Sequence, residues 1–377
     1  MKDIRKANLI VGGRFQAQQT FDALENAGFD VMIYTSSPKR FWKGVPEKKI
    51  FFIPKFDQII SKILKIKLPR VFSTISNICF DYLTSILMRP ADLIYGFNGD
   101  SLLCGLKQKK INPNSKYLVD RACPHFLTQN ELMSKESKEV KYPFREHSEI
   151  MKKRFCKEYE IADKIITCSN FSLNSFLDRG FNKNKLYKAP LDGNVFINEA
   201  NFLNRNNLNN SNSNKIYNIG FVGSAFLRKG IIYLLRSLDY LEDENIKLIM
   251  RSNKNQIFSH KEGRILCEKY NVKFAPYMKN MEDFYNKLDI FVVPSVEEGF
   301  GMVLYEALRC RIPIIATSNV GAIDELENNI DFIEIPPKDS YELAIQIKRL
   351  IKNPDLRNFL ASNGIEKYKK LQDKGSI

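Results

Sequence analysis

Two series of short apolar runs, each alternating with segments of helical period, constrain this chain more than any other feature. In the first series the runs fall at residues 9–11, 31–34, 50–53, 93–95, 117–119, 165–167 and 186–189. Helical patterns lie between most of them, as at 16–26, 101–109 and 171–177. In the second series the runs fall at 219–222, 247–250, 272–274, 290–293, 312–316 and 332–335, with helical patterns at 230–238, 281–288, 302–309 and 342–351. Apolar runs without polar alternation suit strands buried on both faces, and the helices supply the covering layers. The expected fold class is α/β, with two doubly wound, Rossmann-like domains facing a cleft.

The length agrees, since 377 residues exceed what one hydrophobic core usually organises. Residues 201–214 are dense in Asn and lack the apolar content to pack, so they are expected to form a loop or linker. The expected division is therefore 1–200 for the first domain, 201–214 for the linker and 215–354 for the second domain. A last helix, within 355–377 after a break at Pro354, is expected to pack back onto the first half.

The start of the chain carries only a short apolar run, at residues 8–11, before glycines, which reads as a first strand and not a signal peptide. No stretch approaches the roughly 18 apolar residues that span a bilayer. The expected location is cytoplasmic, with peripheral membrane contact as a further expectation. Seven cysteines form no CxxC pair, and there are only three histidines. Free thiols and the absence of a metal centre follow as expectations. His147 and His260 lie in polar segments expected to be exposed.

A net charge of +15 invites an acidic partner. Nucleic acid is not expected, because no helix-turn-helix, zinc-finger or RNP signature occurs. An anionic membrane fits better: residues 57–70 interleave Ile59, Ile60, Ile63, Leu64 and Ile66 with Lys62, Lys65, Lys67 and Arg70.

The chemistry concentrates after the apolar run at 290–293. There Glu298 and Glu306 stand eight positions apart, across the turn Gly299-Phe300-Gly301 and the start of a helix at Met302 and Val303. Open α/β sheets bind ligands at the carboxyl ends of their strands. Glycines let a ligand approach the backbone, and the free N–H groups opening a helix suit a diphosphate. The two carboxylates suit sugar hydroxyls on either side of that phosphate.

Other motifs occupy equivalent places. Gly12 and Gly13 follow the first strand, where a phosphate or sugar could approach the backbone, although no GxGxxG occurs. Arg228 and Lys229 stand between a strand and a helix and can neutralise a departing diphosphate. His125 follows Pro124 just past a strand end and is expected to point into the cleft. Ser169 is expected to cap the helix that follows it. No Asp-x-Asp pair is present to hold a metal-chelated nucleotide.

Together these pieces resemble the GT-B glycosyltransferases, and within them the retaining glycosyl transferases group 1, family 4. Residues 298–306 match that family's Glu-x7-Glu motif with its Gly-Phe-Gly, preceded by 289–295 and followed by 312–317 and Gly321. Lys229-Gly230 falls on its phosphate-binding lysine, Gly12-Gly13 on its N-terminal glycine loop, and 162–169 on the last part of its first domain. His125 looks like its acceptor-side histidine. Two departures stand out: Ser224 where the family usually has arginine, and Arg309-Cys310-Arg311 in place of small residues.

The resemblance implies transfer of a sugar from a nucleotide-diphosphate sugar to a glycan or lipid-linked acceptor, with retention and without metal or other cofactor. It gives His125 and Glu298 to the reacting centre. It gives Gly12, Gly13, Arg228, Lys229, Gly299, Phe300, Gly301, Met302, Val303 and Glu306 to the donor, with Glu306 on the ribose. A GT-B nucleotide-sugar epimerase and a non-catalytic sugar-binding module are the alternatives. Product analysis without acceptor separates the first, and binding without turnover the second.

Overall fold

The computed structural model describes residues 5–13, 16–65, 68–191, 215–276, 278 and 280–373, so the Asn-rich 201–214 segment lies outside the described residues. The first sheet comprises β1 Lys6–Val11, β2 Asp30–Thr35, β3 Ile50–Phe52, β4 Leu93–Phe97, β5 Lys116–Arg121, β6 Lys164–Thr167 and β7 Leu186–Lys188. The second comprises β8 Tyr217–Val222, β9 Ile246–Arg251, β10 Lys273–Phe274, β11 Ile290–Val293, β12 Ile314–Thr317 and β13 Ile333–Ile335. The orders are β3-β2-β1-β4-β5-β6-β7 and β10-β9-β8-β11-β12-β13, and all the pairings are parallel. Both are doubly wound sheets, as the alternation predicts.

Helices of the first half are α1 Ala17–Asn26, α2 Phe56–Leu64, α3 Arg70–Leu87, α4 Leu102–Ile111, α5 Phe126–Val140, α6 Glu149–Ile161 and α7 Asn170–Leu177. Those of the second are α8 Ile231–Ser237, α9 Lys254–Phe258, α10 Lys261–Lys269, α11 Glu282–Tyr285, α12 Met302–Arg309, α13 Ser340–Lys352 and α14 Pro354–Asp373. The strands are continuously apolar because helices cover both faces: β11 and β12 have no exposed side chain. Ser169 caps α7 by accepting from the Ser172 N–H, as its position predicts.

Two expectations are corrected. The last helix, α14, does not pack onto the first half but lies against α12 and α13. Gly364 leaves room for Leu308, Tyr368 packs edge-on to Tyr305, and buried Arg357 donates to the Ile351 carbonyl (2.8 Å) at the end of α13. Within the basic 57–70 segment, Lys65 turns left-handed (φ +53°) and ends α2. His260 is buried, since it caps α10 and pairs with the Val140 carbonyl at 2.8 Å.

That last contact joins the halves. α5 belongs by connection to the first sheet, yet its Met133 and Val140 sit in the core of the second. Lys338 meets Glu136 and Glu139 of α5 at 2.5 and 2.8 Å. The carboxyl edges of the two sheets thereby face each other.

Candidate functional site

In each sheet the direction of growth reverses once, between β1 and β4 and between β8 and β11. Such reversals open a crevice at the carboxyl ends of the strands. In the second sheet, both connections leaving that crevice turn on glycine. Gly230 (φ +62°) precedes α8, and a Cβ there would lie 1.9 Å from the Pro294 carbonyl oxygen of the other connection. Gly301 (φ +97°) precedes α12, and both positions lie at positive φ, which favours glycine. The Arg228 carbonyl accepts from the Val296 and Glu297 N–H groups at 2.9 and 3.2 Å, joining the two loops.

This joining brings the predicted cations to the predicted carboxylate. Lys229, 9% exposed, forms an ion pair with Glu298, 8% exposed, and Arg228 Nη1 lies 3.1 Å from the same Glu298 oxygen. Burial alone would raise the Glu298 carboxyl, but the charges of Lys229 and Arg228 outweigh it and hold the group below its ordinary range. Glu297 is fully enclosed beside them. Its Oε2 accepts from Gln129 of α5 at 2.9 Å and lies 3.9 Å from Arg228 Nε, and burial raises this carboxyl against the Arg228 charge.

The turn itself contacts the other domain. A Cβ on Gly299 would lie 1.8 Å from the Ala122 carbonyl, just past β5. Cys168, just past β6, donates its thiol to both Ala122 and Gly299 carbonyls, at 3.2 and 3.1 Å. Phe300 points into the core, edge-on to Tyr305 at 5.3 Å, so only its backbone is left to meet a ligand. Met302 and Val303 form the half-buried first turn of α12, whose N-terminus opens at the crevice. Glu306, one turn further, accepts from Tyr285 Oη at 2.7 Å; burial raises its carboxyl against that bond and the charges of Arg251 and Lys229.

Four of these residues escape sequence reasoning. Gln129, Glu297 and Tyr285 carry no motif of their own. Arg251 ends β9, pairs in register with Val222, and its carbonyl accepts the Gly223 N–H at 3.1 Å. Its one legible signal is a cation at the carboxyl end of a strand. Ser224, by contrast, is exposed.

On the first sheet, the Gly12 N–H donates to Asp100 Oδ2 at 2.8 Å, and a Cβ there would meet the buried Lys55–Asp100 ion pair (2.7 Å). The Gly13 carbonyl accepts from Thr35 Oγ1 at 3.4 Å. Asp120, ending β5 nearby, accepts from Tyr95 Oη (2.9 Å) and Gln16 Nε2 (3.1 Å), and burial pushes it up to about 6 against those bonds.

His125 does not point into the cleft. It is 3% exposed and packs among Tyr159, Phe176 and Phe181 at ring separations of 4.9 to 5.6 Å. Its Nδ1 accepts the Leu127 N–H at 3.2 Å, capping α5. Burial, with the charges of Arg179 and Arg121, lowers it to about 3, so the ring is neutral. Proline before it turns the chain inward, toward an aromatic pocket that suits an uncharged ring.

The family model described as glycosyl transferases group 1 matches residues 204–367, the half that holds Lys229, Glu298 and Glu306. Through that segment, the chain is similar to the group 1 glycosyl transferases. Relatives of this chain include a capsular polysaccharide biosynthesis glycosyltransferase, CapM, of Staphylococcus aureus and an O-antigen biosynthesis glycosyltransferase, WclY, of Escherichia coli. CapM is 31% identical over 39% of this chain and 40% of its own length, and WclY 33% identical over 26% and 28%. The matched stretches span 40% to 55% of the first three curated relatives.

Solved structures show the same two-domain GT-B fold over nearly the whole chain. Sucrose-phosphate synthase from Thermosynechococcus elongatus has a TM-score of 0.67 at 20% identity, covering 97% of this chain and 94% of that one. HepE of Anabaena, in complex with UDP, has 0.62 at 14%, covering 97% and 95%.

Proposed function

We propose that this glycosyltransferase moves a sugar from a nucleoside-diphosphate donor to a hydroxyl of a glycan or lipid-linked acceptor, with retention and without a metal. The observation that carries this reading is the meeting of Lys229 and Arg228 with Glu298 at the β8–β11 crevice, beside the N-terminus of α12. The capsular and O-antigen relatives support an acceptor in cell-surface polysaccharide or lipopolysaccharide assembly, and we place the reaction on the cytoplasmic side.

Lys229, Arg228 and the first amides of α12 take the diphosphate, where charge-assisted hydrogen bonds act with little screening. As the cations turn to phosphate, Glu298 is released to accept from donor-sugar hydroxyls. Glu306, oriented by Tyr285, accepts from the ribose. The bond between the anomeric carbon and the phosphate oxygen breaks while the acceptor oxygen bonds to that carbon on the same face. The acceptor proton passes to the departing phosphate, so no protein nucleophile is needed. Buried, neutral His125 shapes the acceptor side by capping α5, which carries Gln129.

The test is release of UDP or GDP from nucleotide sugars in the presence of acceptor extracts. Turnover that persists in both Glu298→Ala and Lys229→Ala would overturn the site assignment.

A further inference from the structure

Helix α3 is built inside out. Toward the protein it turns Ser76, Thr84, Ser85 and Asp81, with Phe80 as its one fully buried aromatic ring. Asp81 caps α4 by accepting from the Leu103 and Cys104 N–H groups (2.9 and 3.2 Å) and pairs with Arg154, while Thr84 bonds back to the Phe80 carbonyl. Its outward face is apolar: Val71, Ile75, Tyr82, Leu83, Ile86 and Leu87 are 43% to 57% exposed. A soluble helix normally presents the opposite pattern. The adjoining α2 buries no side chain and leaves Ile59, Ile63 and Leu64 44% to 71% exposed. Contiguous apolar surface on this scale marks an interaction site.

We infer that the outward faces of α2 and α3 dock this glycosyltransferase on a bilayer surface carrying anionic headgroups. Charge selects that occupant. Residues 39–89 contain eleven Lys and Arg against three Asp and Glu, and one of the three, Asp81, is buried. Lys62 and Lys65 are exposed among the apolar residues of α2, and Arg40, Lys43 and Lys48 are exposed before β3. A second copy meeting this face symmetrically would bring like charge against like. An anionic leaflet meets both demands, taking the aliphatic side chains into its interface and the cations at its headgroups. Among the described residues no helix is long and apolar enough to cross a membrane, so the contact is with the surface. Lys55, immediately before α2, pairs with Asp100 under the Gly12 loop, which places the docking face beside the acceptor side of the cleft.

The test is co-sedimentation of the full chain, without nucleotide, with vesicles of phosphatidylcholine alone or mixed with phosphatidylglycerol. Binding to the mixed vesicles is expected, weakening with salt and roughly fivefold for each lysine removed in Lys62→Gln and Lys65→Gln. Ile75→Ser with Ile86→Ser should abolish it while leaving the circular dichroism spectrum intact, since both side chains are exposed. No sedimentation at low salt overturns the inference, as does binding indifferent to the isoleucine changes. A dimer in sedimentation velocity that the same changes dissociate, without vesicle binding, also overturns it. Because no nucleotide is present, the result stands apart from the transfer reaction.

Discussion

Tyr285 Oη donates to Glu306 Oε2 across 2.7 Å, tying the short helix α11 to the second carboxylate of the Glu-x7-Glu pair. Removing the hydroxyl in Tyr285→Phe leaves a half-buried carboxylate short of a donor, at a cost of about 1 kcal/mol. Nucleoside-diphosphate affinity should fall with it, as read by isothermal titration. Unchanged affinity would mean that Glu306 does not meet the nucleotide.

Arg251 stands where β9 ends beside the Gly223 turn, and its charge opposes the upward shift of Glu306. Ser224 leaves the position of the family's arginine uncharged. Arg251→Gln should weaken diphosphate binding roughly tenfold, the order of one charge-assisted hydrogen bond. Ser224→Arg in that background should recover affinity. If Arg251→Gln binds as the parent does, Arg228 and Lys229 carry the phosphate alone.

Gly299 is the point where the second domain's turn meets the first domain's Ala122 carbonyl, and no Cβ fits between them. Gly299→Ala is expected to hold the domains apart while sparing each core. Turnover should drop, and the radius of gyration by small-angle X-ray scattering should grow. Full activity at an unchanged radius would show that closure does not need this contact.

His125 falls from an ordinary value of 6.5 to about 3, burial being the larger cause and Arg179 and Arg121 adding to it. The unfolded chain takes up the proton that the folded one refuses. Its contribution is therefore fully present above about pH 6.5 and is lost as pH falls toward 3, by at most about 1.4 kcal/mol per pH unit. His125→Phe keeps a ring in the pocket and loses the cap, so it should be less stable at pH 7. Its stability should nonetheless decline less steeply on acidification, as followed by urea melts across the range. Parallel declines would place the ring in solvent.

Much of this was legible because strand burial writes itself as uninterrupted apolar runs, and every run named in the chain became a strand. The Glu298 and Lys229 motifs were legible for a related reason: glycine turns at strand ends are local. What failed depended on partners far away in sequence. His125 turned inward because Tyr159, Phe176 and Phe181 build its pocket from two other segments. Gln129 reached Glu297 across 168 positions, and α14 chose its own domain because Leu308 fills the notch at Gly364. The inverted α3 hid behind an apolar content that reads the same whether it faces in or out.

The central claim is that Lys229 and Glu298 line a nucleoside-diphosphate site, and a thermal-shift titration with UDP and GDP tests it most directly. One of the two should stabilise the protein, by about 2.7 kcal/mol at a hundredfold excess over Kd. That gain should be largely lost in Lys229→Ala, after allowing for the stability of the unliganded variant. No stabilisation by either nucleotide, or an equal gain in Lys229→Ala, would contradict the account.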